Sequence, residues 1–160
     1  MGNSTVDKLA WIIGIKNLSS RQVEGINLLL KQLSALPAES TRPKLRSILN
    51  QSGFTMVLVE DPEADHRVIG IACVTVSATP MRTTAYIDDV VVDEKYRGQG
   101  IAKLMTKYLI AIARIKNAEY VSLTSNPNNP KRVVAIKMYE GLDFKLIGTV
   151  GSSNYYRLYL

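Results

Sequence analysis

The sequence predicts a single α/β (α+β) domain over residues 1–160. Short β-branched segments alternate with segments whose apolar residues recur every three or four positions, the pattern of strands alternating with amphipathic helices. A glycine-rich bend also joins a valine-rich strand to the longest helical segment. With 160 residues, 46% of them hydrophobic, and no internal repeats, the chain is long enough for one substantial core.

The elements can be placed in order along the chain. Ser19 and Ser20 cap a helix with an apolar stripe, and Leu36-Pro37 ends it. A polar turn over 61–66 joins two strands as a hairpin. The core face of the long helix is predicted to be Ile101, Leu104, Met105, Tyr108, Ile112 and Ile115. The predicted strands are 11–15, 54–60, 67–77, 84–92, 120–124, 142–148 and 155–160, and the predicted helices are 22–33, 41–51, 100–116 and 133–139.

The glycine-rich bend predicts a diphosphate site. We call residues 97–102, Arg97-Gly98-Gln99-Gly100-Ile101-Ala102, the glycine segment. Its two glycines lack a Cβ, so a ligand can approach the backbone, and the first amides of the following helix have no intrahelical partner. The Walker A spacing fails at Lys103-Leu104, and the dinucleotide fingerprint fails because position 103 is a lysine.

Two ordered motifs resemble those of the GNAT acetyltransferase superfamily. Arg97-x-x-Gly100-x-Ala102 fits its R/Q-x-x-G-x-G/A signature, and 135–144 is similar to its second signature, A-x-x-x-Y-E-x-x-G-F. Asp143 stands where the second signature has glycine, so either that turn needs no left-handed backbone or the aspartate adopts it. The resemblance runs from about residue 10 to the end. It implies a mixed, mostly antiparallel central sheet flanked by helices.

The same resemblance implies direct acetyl transfer from acetyl-CoA, as co-substrate, to a primary amine. The glycine segment, including Gln99 and Ile101, is expected to bind the pyrophosphate. The backbone of Val90, Val91 and Val92 is expected to hold the pantetheine arm, with one amide on the thioester oxygen. Tyr139 corresponds to the family tyrosine that protonates the thiolate. The alternative for Tyr139 is a core aromatic on an amphipathic helix, since the chain has eight tyrosines.

Asp88 and Asp89 are adjacent carboxylates in the central strand, each a candidate to orient the amine or to receive its proton. Because successive strand residues point to opposite faces, at most one of the two should face a given cleft. The alternative is that one of them pairs with a nearby lysine at a sheet edge. Which of the two faces the cleft stays open at this stage.

The central strand resembles that of glucosamine-6-phosphate N-acetyltransferases, so an amino-sugar phosphate is the first acceptor predicted, with a protein or peptide amine second. The segment 124–127 with Arg132 departs from that subfamily. A phosphate would need a cation, and the candidates are Lys131, Arg132 and Arg157. Arg132 is also a candidate to contact the coenzyme. A module that binds acyl-CoA without turnover is a further alternative.

Composition bears on partners and location. The net charge of +6 favours a polyanionic ligand over nucleic acid, because the basic residues are scattered. Cys73 is predicted to be a buried small residue, and His66 a solvated turn residue, so no metal site is expected. No apolar run reaches 18 residues and no signal-type start is present, which predicts a cytoplasmic protein without membrane partners. A small-molecule amine is the expected partner, and a homodimer is compatible with this prediction.

Overall fold

The computed structural model of the protein describes residues 5–35 and 39–160. Its strands form one seven-stranded sheet in the order β1-β2-β3-β4-β5-β7-β6. The β4/β5 pair is parallel, whereas β1/β2, β5/β7 and β6/β7 are antiparallel, so the predicted mixed, mostly antiparallel sheet is confirmed. The strands are β1 (Ala10–Ile13), β2 (Phe54–Asp61), β3 (Arg67–Ala78), β4 (Thr83–Val92), β5 (Tyr120–Ser125), β6 (Lys145–Val150) and β7 (Ser153–Tyr159).

Among the described residues, four helices flank the sheet, and the side chains at their first residues explain where two of them begin. Ser19 forms a capping box with Gln22 at the start of α1, and the Thr41 side chain accepts from the Lys44 amide at the start of α2. Single 3₁₀ turns cover Thr5–Lys8, Pro62–Ala64, Glu94–Tyr96 and Pro130–Arg132. The helices are α1 (Ser20–Leu33), α2 (Arg42–Leu49), α3 (Ile101–Ile115) and α4 (Val133–Glu140).

The contacts of the chain divide it into two compact units. The first unit comprises the described residues of Met1–Val74 together with Asp88–Leu109. Its core contains Ile26 and Leu29 of α1, Leu45 and Leu49 of α2, and apolar residues of β2 and β3. A Cβ on Gly25 would lie 2.8 Å from the Cβ of Val68, so this glycine allows α1 to approach β3 closely.

The second unit comprises Thr75–Ile87 and Ile110–Leu160. Within it, β5 pairs with β7 over six residues, from Tyr120↔Tyr159 to Ser125↔Asn154. The parallel ladder between β4 and β5 is short and pairs Ala85 with Val121 and Tyr86 with Ser122. Phe144 and Tyr156 are fully buried, whereas all six residues of the edge strand β6 are exposed.

The structure contradicts the sequence prediction for one residue of α3 and settles the backbone conformation of Asp143. Ile115 is 79% exposed, so its assignment to the core face of α3 is wrong; the residues buried most deeply on this helix include Met105, Leu109 and Ala113. Apolar residues cover a wide arc of α3, and only packing decides which sector lies deepest. Asp143 has φ 67°, so the aspartate itself adopts the left-handed backbone. The predicted break at Leu36-Pro37 lies outside the described residues.

Candidate active site

The glycine segment is an exposed strand-to-helix bend in the first unit. Gly98 and Gly100 have φ 79° and 82°, values that L-residues rarely adopt, and an added Cβ on either would meet no atom within 4 Å. Gly100 accepts the first helical hydrogen bond, from the Leu104 amide at 3.0 Å, so α3 starts directly after it. The first amides of α3 have no intrahelical partner, and they follow two glycines beside whose α-carbons there is open space.

Side-chain hydrogen bonds hold the residues just before the glycine segment in place, and they were not predicted from the sequence. Asp93 is 2% exposed, accepts from Arg67 at 2.7 Å, and caps the turn Glu94–Tyr96 by accepting from the Lys95 amide at 3.0 Å. The Tyr96 hydroxyl donates to Asp61 at 2.7 Å, and this hydrogen bond raises the pKa of Tyr96. The aspartate before a turn is a signal that could have been found, but its partner Arg67 lies too far away along the chain to be predicted.

Arg97 and Gln32 add further contacts to the same bend. Arg97 Nε donates to the Val92 carbonyl at 3.0 Å, which ties the residue to the end of β4. The Gln32 side chain accepts from the Glu94 amide at 3.0 Å and from Arg97 at 3.4 Å. The last turn of α1 therefore braces the turn that precedes the glycine segment.

Asp88 and Asp89 interrupt the regular course of β4. Asp89 has φ 50°, and the two aspartates are exposed one after the other, between the buried Ile87 and Val91. Both line one cavity of about 440 Å³ in the first unit. The prediction that at most one of them faces a given cleft is therefore wrong, because a left-handed residue breaks the strand alternation on which it rested.

The two carboxylates influence each other and the cavity wall. Asp88 is solvent-exposed, yet the cavity removes part of its water, and this desolvation together with the charge of Asp89 raises the pKa of Asp88. Cys73 also lines the cavity and is 3% exposed, as predicted; burial and the two aspartates raise the pKa of its thiol. Cys73 is therefore protonated and unsuited to act as a nucleophile.

Tyr139 belongs to the second unit and lies on α4. It is 6% exposed, and its ring contacts Phe144 edge-on with the ring centroids 5.9 Å apart. Burial raises the pKa of Tyr139 to about 12, against a lowering effect of the Arg132 charge. The phenol therefore keeps its proton at neutral pH, as a proton donor must.

The cations predicted for a phosphate also lie in the second unit. Lys131 is exposed and Arg132 partly buried, in the 3₁₀ turn before α4. The Arg157 guanidinium lies 4.0 Å from the Tyr120 ring centroid and donates to the Tyr159 hydroxyl at 3.1 Å. Its Nε is buried without a hydrogen-bond partner. Arg157 is thus largely engaged by tyrosines.

His66 lies in the hairpin turn with φ 54°, and its Nδ1 is 3.3 Å from Glu60 Oε2. Within 5–35 and 39–160, no group of three His, Cys, Asp or Glu side chains is arranged to hold a metal ion. No helix in these same ranges is long and apolar enough to cross a membrane.

Residues 26–144 match the sequence profile described as the Acetyltransferase (GNAT) family. The chain belongs to the GNAT acetyltransferase family. It is accordingly an N-acetyltransferase with acetyl-CoA as its co-substrate. No curated protein sequence matches the chain.

Solved structures share the GNAT fold with this chain at low sequence identity. The NatC complex bound to Gag peptide and CoA matches with a TM-score of 0.72 and 20% identity, over 96% of this chain and 99% of that one. Arabidopsis thaliana NAA60 in complex with a bisubstrate analogue matches with a TM-score of 0.72 and 14% identity, over 95% of this chain and 99% of that one. Glucosamine-6-phosphate N-acetyltransferase from Arabidopsis thaliana matches with a TM-score of 0.69 and 20% identity, over 89% of this chain and 97% of that one. These identities support a common fold and leave the acceptor unresolved.

Proposed function

We propose that this GNAT protein binds the pyrophosphate of acetyl-CoA at the glycine segment and holds the pantetheine arm along the backbone of Val90, Val91 and Val92. The positive φ angles of Gly98 and Gly100, the open space beside these two glycines and the start of α3 directly after them support this assignment. Arg97 and the buried Asp93 would keep the bend in shape through their hydrogen bonds.

Asp88 and Asp89 are proposed to bind the ammonium form of the acceptor and to take up its proton, directly or through a water. The neutral amine nitrogen then attacks the thioester carbonyl and the C–N bond forms. The nitrogen gives its remaining excess proton to solvent or to the second carboxylate, and the C–S bond breaks. We assign to the Tyr139 hydroxyl the proton that the departing thiolate receives, which solvent later restores. The pKa of about 12 supports this role because the phenol is protonated throughout the physiological range.

One observation carries this proposal. The two carboxylates line the same cavity, and the next residues along the chain are Val90 to Val92. An amine held in the cavity by Asp88 and Asp89 would lie next to the backbone proposed for the thioester. Bringing the two reactants together in this way is a large part of what an acyl transferase must do.

The test is an assay of thiol release from acetyl-CoA with a panel of primary amines, combined with calorimetry of CoA binding. We expect CoA binding and amine-dependent thiol release in the wild-type protein. Replacing both Asp88 and Asp89 with Asn should abolish release while CoA binding persists. CoA binding without release for every amine would instead indicate the non-catalytic acyl-CoA-binding module.

For the acceptor, the resemblance of the central strand supports glucosamine 6-phosphate. Its phosphate would require Lys131, Arg132 or Arg157. If one of them binds it, Arg132→Ala or Arg157→Ala raises the KM for glucosamine 6-phosphate and leaves the KM for acetyl-CoA nearly unchanged. The reverse pattern for Arg132→Ala would assign that arginine to the coenzyme.

A protein or peptide amine is the second candidate, favoured by the largely apolar lining of the cavity that contains the acidic pair. Peptides belong in the same panel as the sugar phosphate. Acetylation of peptide amines without acetylation of glucosamine 6-phosphate would remove the amino-sugar assignment alone.

The cytoplasmic location, the homodimer and the single domain over 1–160 stay predictions of the sequence.

A further inference from the structure

The strand resemblance supports an amino-sugar phosphate, but the cavity lining supports a different acceptor. We infer that the cavity of the first unit selects a primary amine attached to a bulky hydrocarbon group. This inference rests on the proposed function, because it takes the cavity beside Asp88 and Asp89 as the acceptor site.

The lining of the cavity gives the first reason. Helices α1 and α2 and strands β2 and β3 supply apolar side chains to it. Four of these apolar residues are only partly buried: Leu30, Leu33, Ile48 and Phe54. An apolar occupant would remove their remaining exposed surface from water, whereas sugar hydroxyls would lose water there and find few partners.

The charge of the cavity gives the second reason. Asp88 and Asp89 are anionic groups in its wall, and Lys44 is the one cationic residue among the described residues that line it. An ammonium complements two adjacent carboxylates. A phosphate placed in the same cavity would be repelled by both carboxylates and attracted by a single lysine.

The third reason is size. A volume of about 440 Å³ falls within the range of small-molecule sites, on the order of 300–1,000 Å³. It can accept a leucine- or phenylalanine-sized group together with its amine. Both a peptide that begins with a large apolar residue and a free hydrophobic amine have this chemistry.

The first experiment compares acceptors with the wild-type enzyme. Peptides identical except for a first residue of Leu, Met, Phe, Ser or Gly are assayed beside phenethylamine, leucinamide, serinamide and glucosamine 6-phosphate. We expect kcat/KM for Leu, Met or Phe to exceed that for Ser or Gly by about tenfold or more, a difference of about 1.4 kcal/mol. A preference shared by the free amines identifies a small-molecule source, and one confined to peptides identifies a peptide source; either supports the inference.

The second experiment uses two matched variants on α1. Leu30 lines the cavity, whereas Leu28, two residues earlier on the same helix, does not and is 49% exposed. Leu30→Gln should lower kcat/KM for the apolar acceptors about tenfold and narrow their advantage over the serine-based acceptors, with the KM for acetyl-CoA unchanged. Leu28→Gln should leave all of these constants near their wild-type values. Thermal unfolding of both variants shows whether they fold. The comparison of acceptors with the wild-type enzyme does not depend on the folding of these variants.

The outcomes separate the two proposals. Equal or better use of glucosamine 6-phosphate, serinamide or the Ser and Gly peptides would overturn the apolar preference and leave the acetyltransferase assignment intact. Equal effects of Leu30→Gln on apolar and polar acceptors would overturn the role of the cavity lining. An absence of thiol release with every acceptor, together with unchanged CoA binding, would reject the proposed amine acetylation itself.

Discussion

At the scale of single residues, the proposed acid and base are groups whose pKa values are shifted by partial loss of water. Asp88 and Tyr139 each have a raised pKa, chiefly through desolvation, yet the consequences at neutral pH differ. The carboxylate remains able to accept a proton from the amine, and the phenol remains able to give one to a thiolate. The burial that stabilises the neutral forms therefore suits a base and an acid at once.

Tyr139→Phe tests the acid role, because it removes one hydroxyl and keeps the ring against Phe144. We expect kcat to fall by about 10²-fold or more when chemistry limits turnover, and the fold to survive. Because the pKa of Tyr139 is about 12, deprotonation of this phenol should not lower the activity of the wild-type enzyme below about pH 11. A near wild-type kcat in the variant would return Tyr139 to a purely structural role.

Tyr139 should also affect stability at alkaline pH. A raised pKa means that the folded state holds the proton more tightly than the unfolded state does. The contribution is present below the ordinary pKa near 10 and is lost as the pH rises toward 12. Urea unfolding should therefore show a wild-type protein that loses more stability than Tyr139→Phe above pH 10. If the free energy of unfolding changed with pH in the same way for both proteins, the raised pKa of the buried phenol would be contradicted.

The acidic pair allows a test in which stability and activity change in opposite directions. Because the pKa of Asp88 is raised in the folded state, its favourable contribution is present at pH values below the ordinary carboxyl pKa and is lost as the pH rises through the raised one. Asp88→Asn should thus increase the free energy of unfolding at pH 7 while lowering kcat/KM for the acceptor. A variant that is less stable at pH 7 would contradict this account.

Asp89→Asn completes that test, since Asn also tolerates the φ of 50° at this position. Removing this charge should lower the pKa of Asp88 toward its ordinary value. A carboxyl carbon NMR titration measures this pKa directly. An unchanged Asp88 titration would show that the two carboxylates are not coupled.

At the scale of elements, the proposed coenzyme site is built from β4, the turn Glu94–Tyr96, the glycine segment and α3. The two glycines make the bend between β4 and α3; in the proposed site the strand would offer its backbone and α3 its first amides to the coenzyme. The turn between them is fixed by Asp93 from within and by Gln32 and Arg67 from neighbouring elements. Ligand binding and local order should therefore depend on the same contacts.

Gly100→Ala tests the bend against a matched control. Gly100 and Gly14 have φ 82° and 70°, and an added Cβ at either meets nothing within 4 Å. Both alanine variants should lose about 1–2 kcal/mol of stability to backbone strain. Only Gly100→Ala should raise the KM for acetyl-CoA, by about tenfold or more. Equal CoA affinities of the two variants in calorimetry would remove the glycine segment from the coenzyme site.

Asp93→Ala tests the support of that bend. It removes a buried carboxylate that accepts from Arg67 and from the Lys95 amide, and hydrogen bonds to charged groups contribute about 1.5–3 kcal/mol. We expect lower stability and weaker CoA binding, whereas the exposed neighbour in Glu94→Ala should change both much less. Wild-type CoA affinity in a destabilised Asp93→Ala protein would limit Asp93 to a structural role.

At the scale of the whole molecule, the charge of +6 should attract a coenzyme that carries several phosphates. Such long-range attraction is screened within about 10 Å at 0.1 M salt. We expect kcat/KM for acetyl-CoA to fall as salt rises from about 20 to 500 mM. Uncharged S-acetyl-pantetheine is the control and should respond little. Equal salt dependence of both donors would exclude steering by the net charge.

The sequence by itself determined the fold class, the order of the elements and the glycine segment, because these depend on local information. Periodicity of apolar residues, the capping side chains of Ser19 and Thr41, and glycines at fixed spacing act over a few neighbouring positions. The two motifs were sufficient to predict the family that the comparison shows.

The tertiary structure alone decided where the acidic pair and the long-range contacts lie. Asp88 and Asp89 share a cavity because Asp89 adopts a left-handed conformation that strand periodicity does not encode. Arg67 contacts Asp93, Tyr96 contacts Asp61, and residues of α1 and α2 line the same cavity as the two carboxylates, all through residues far apart along the chain. Such contacts depend on how elements pack, and packing is a property of the assembled core rather than of any local segment.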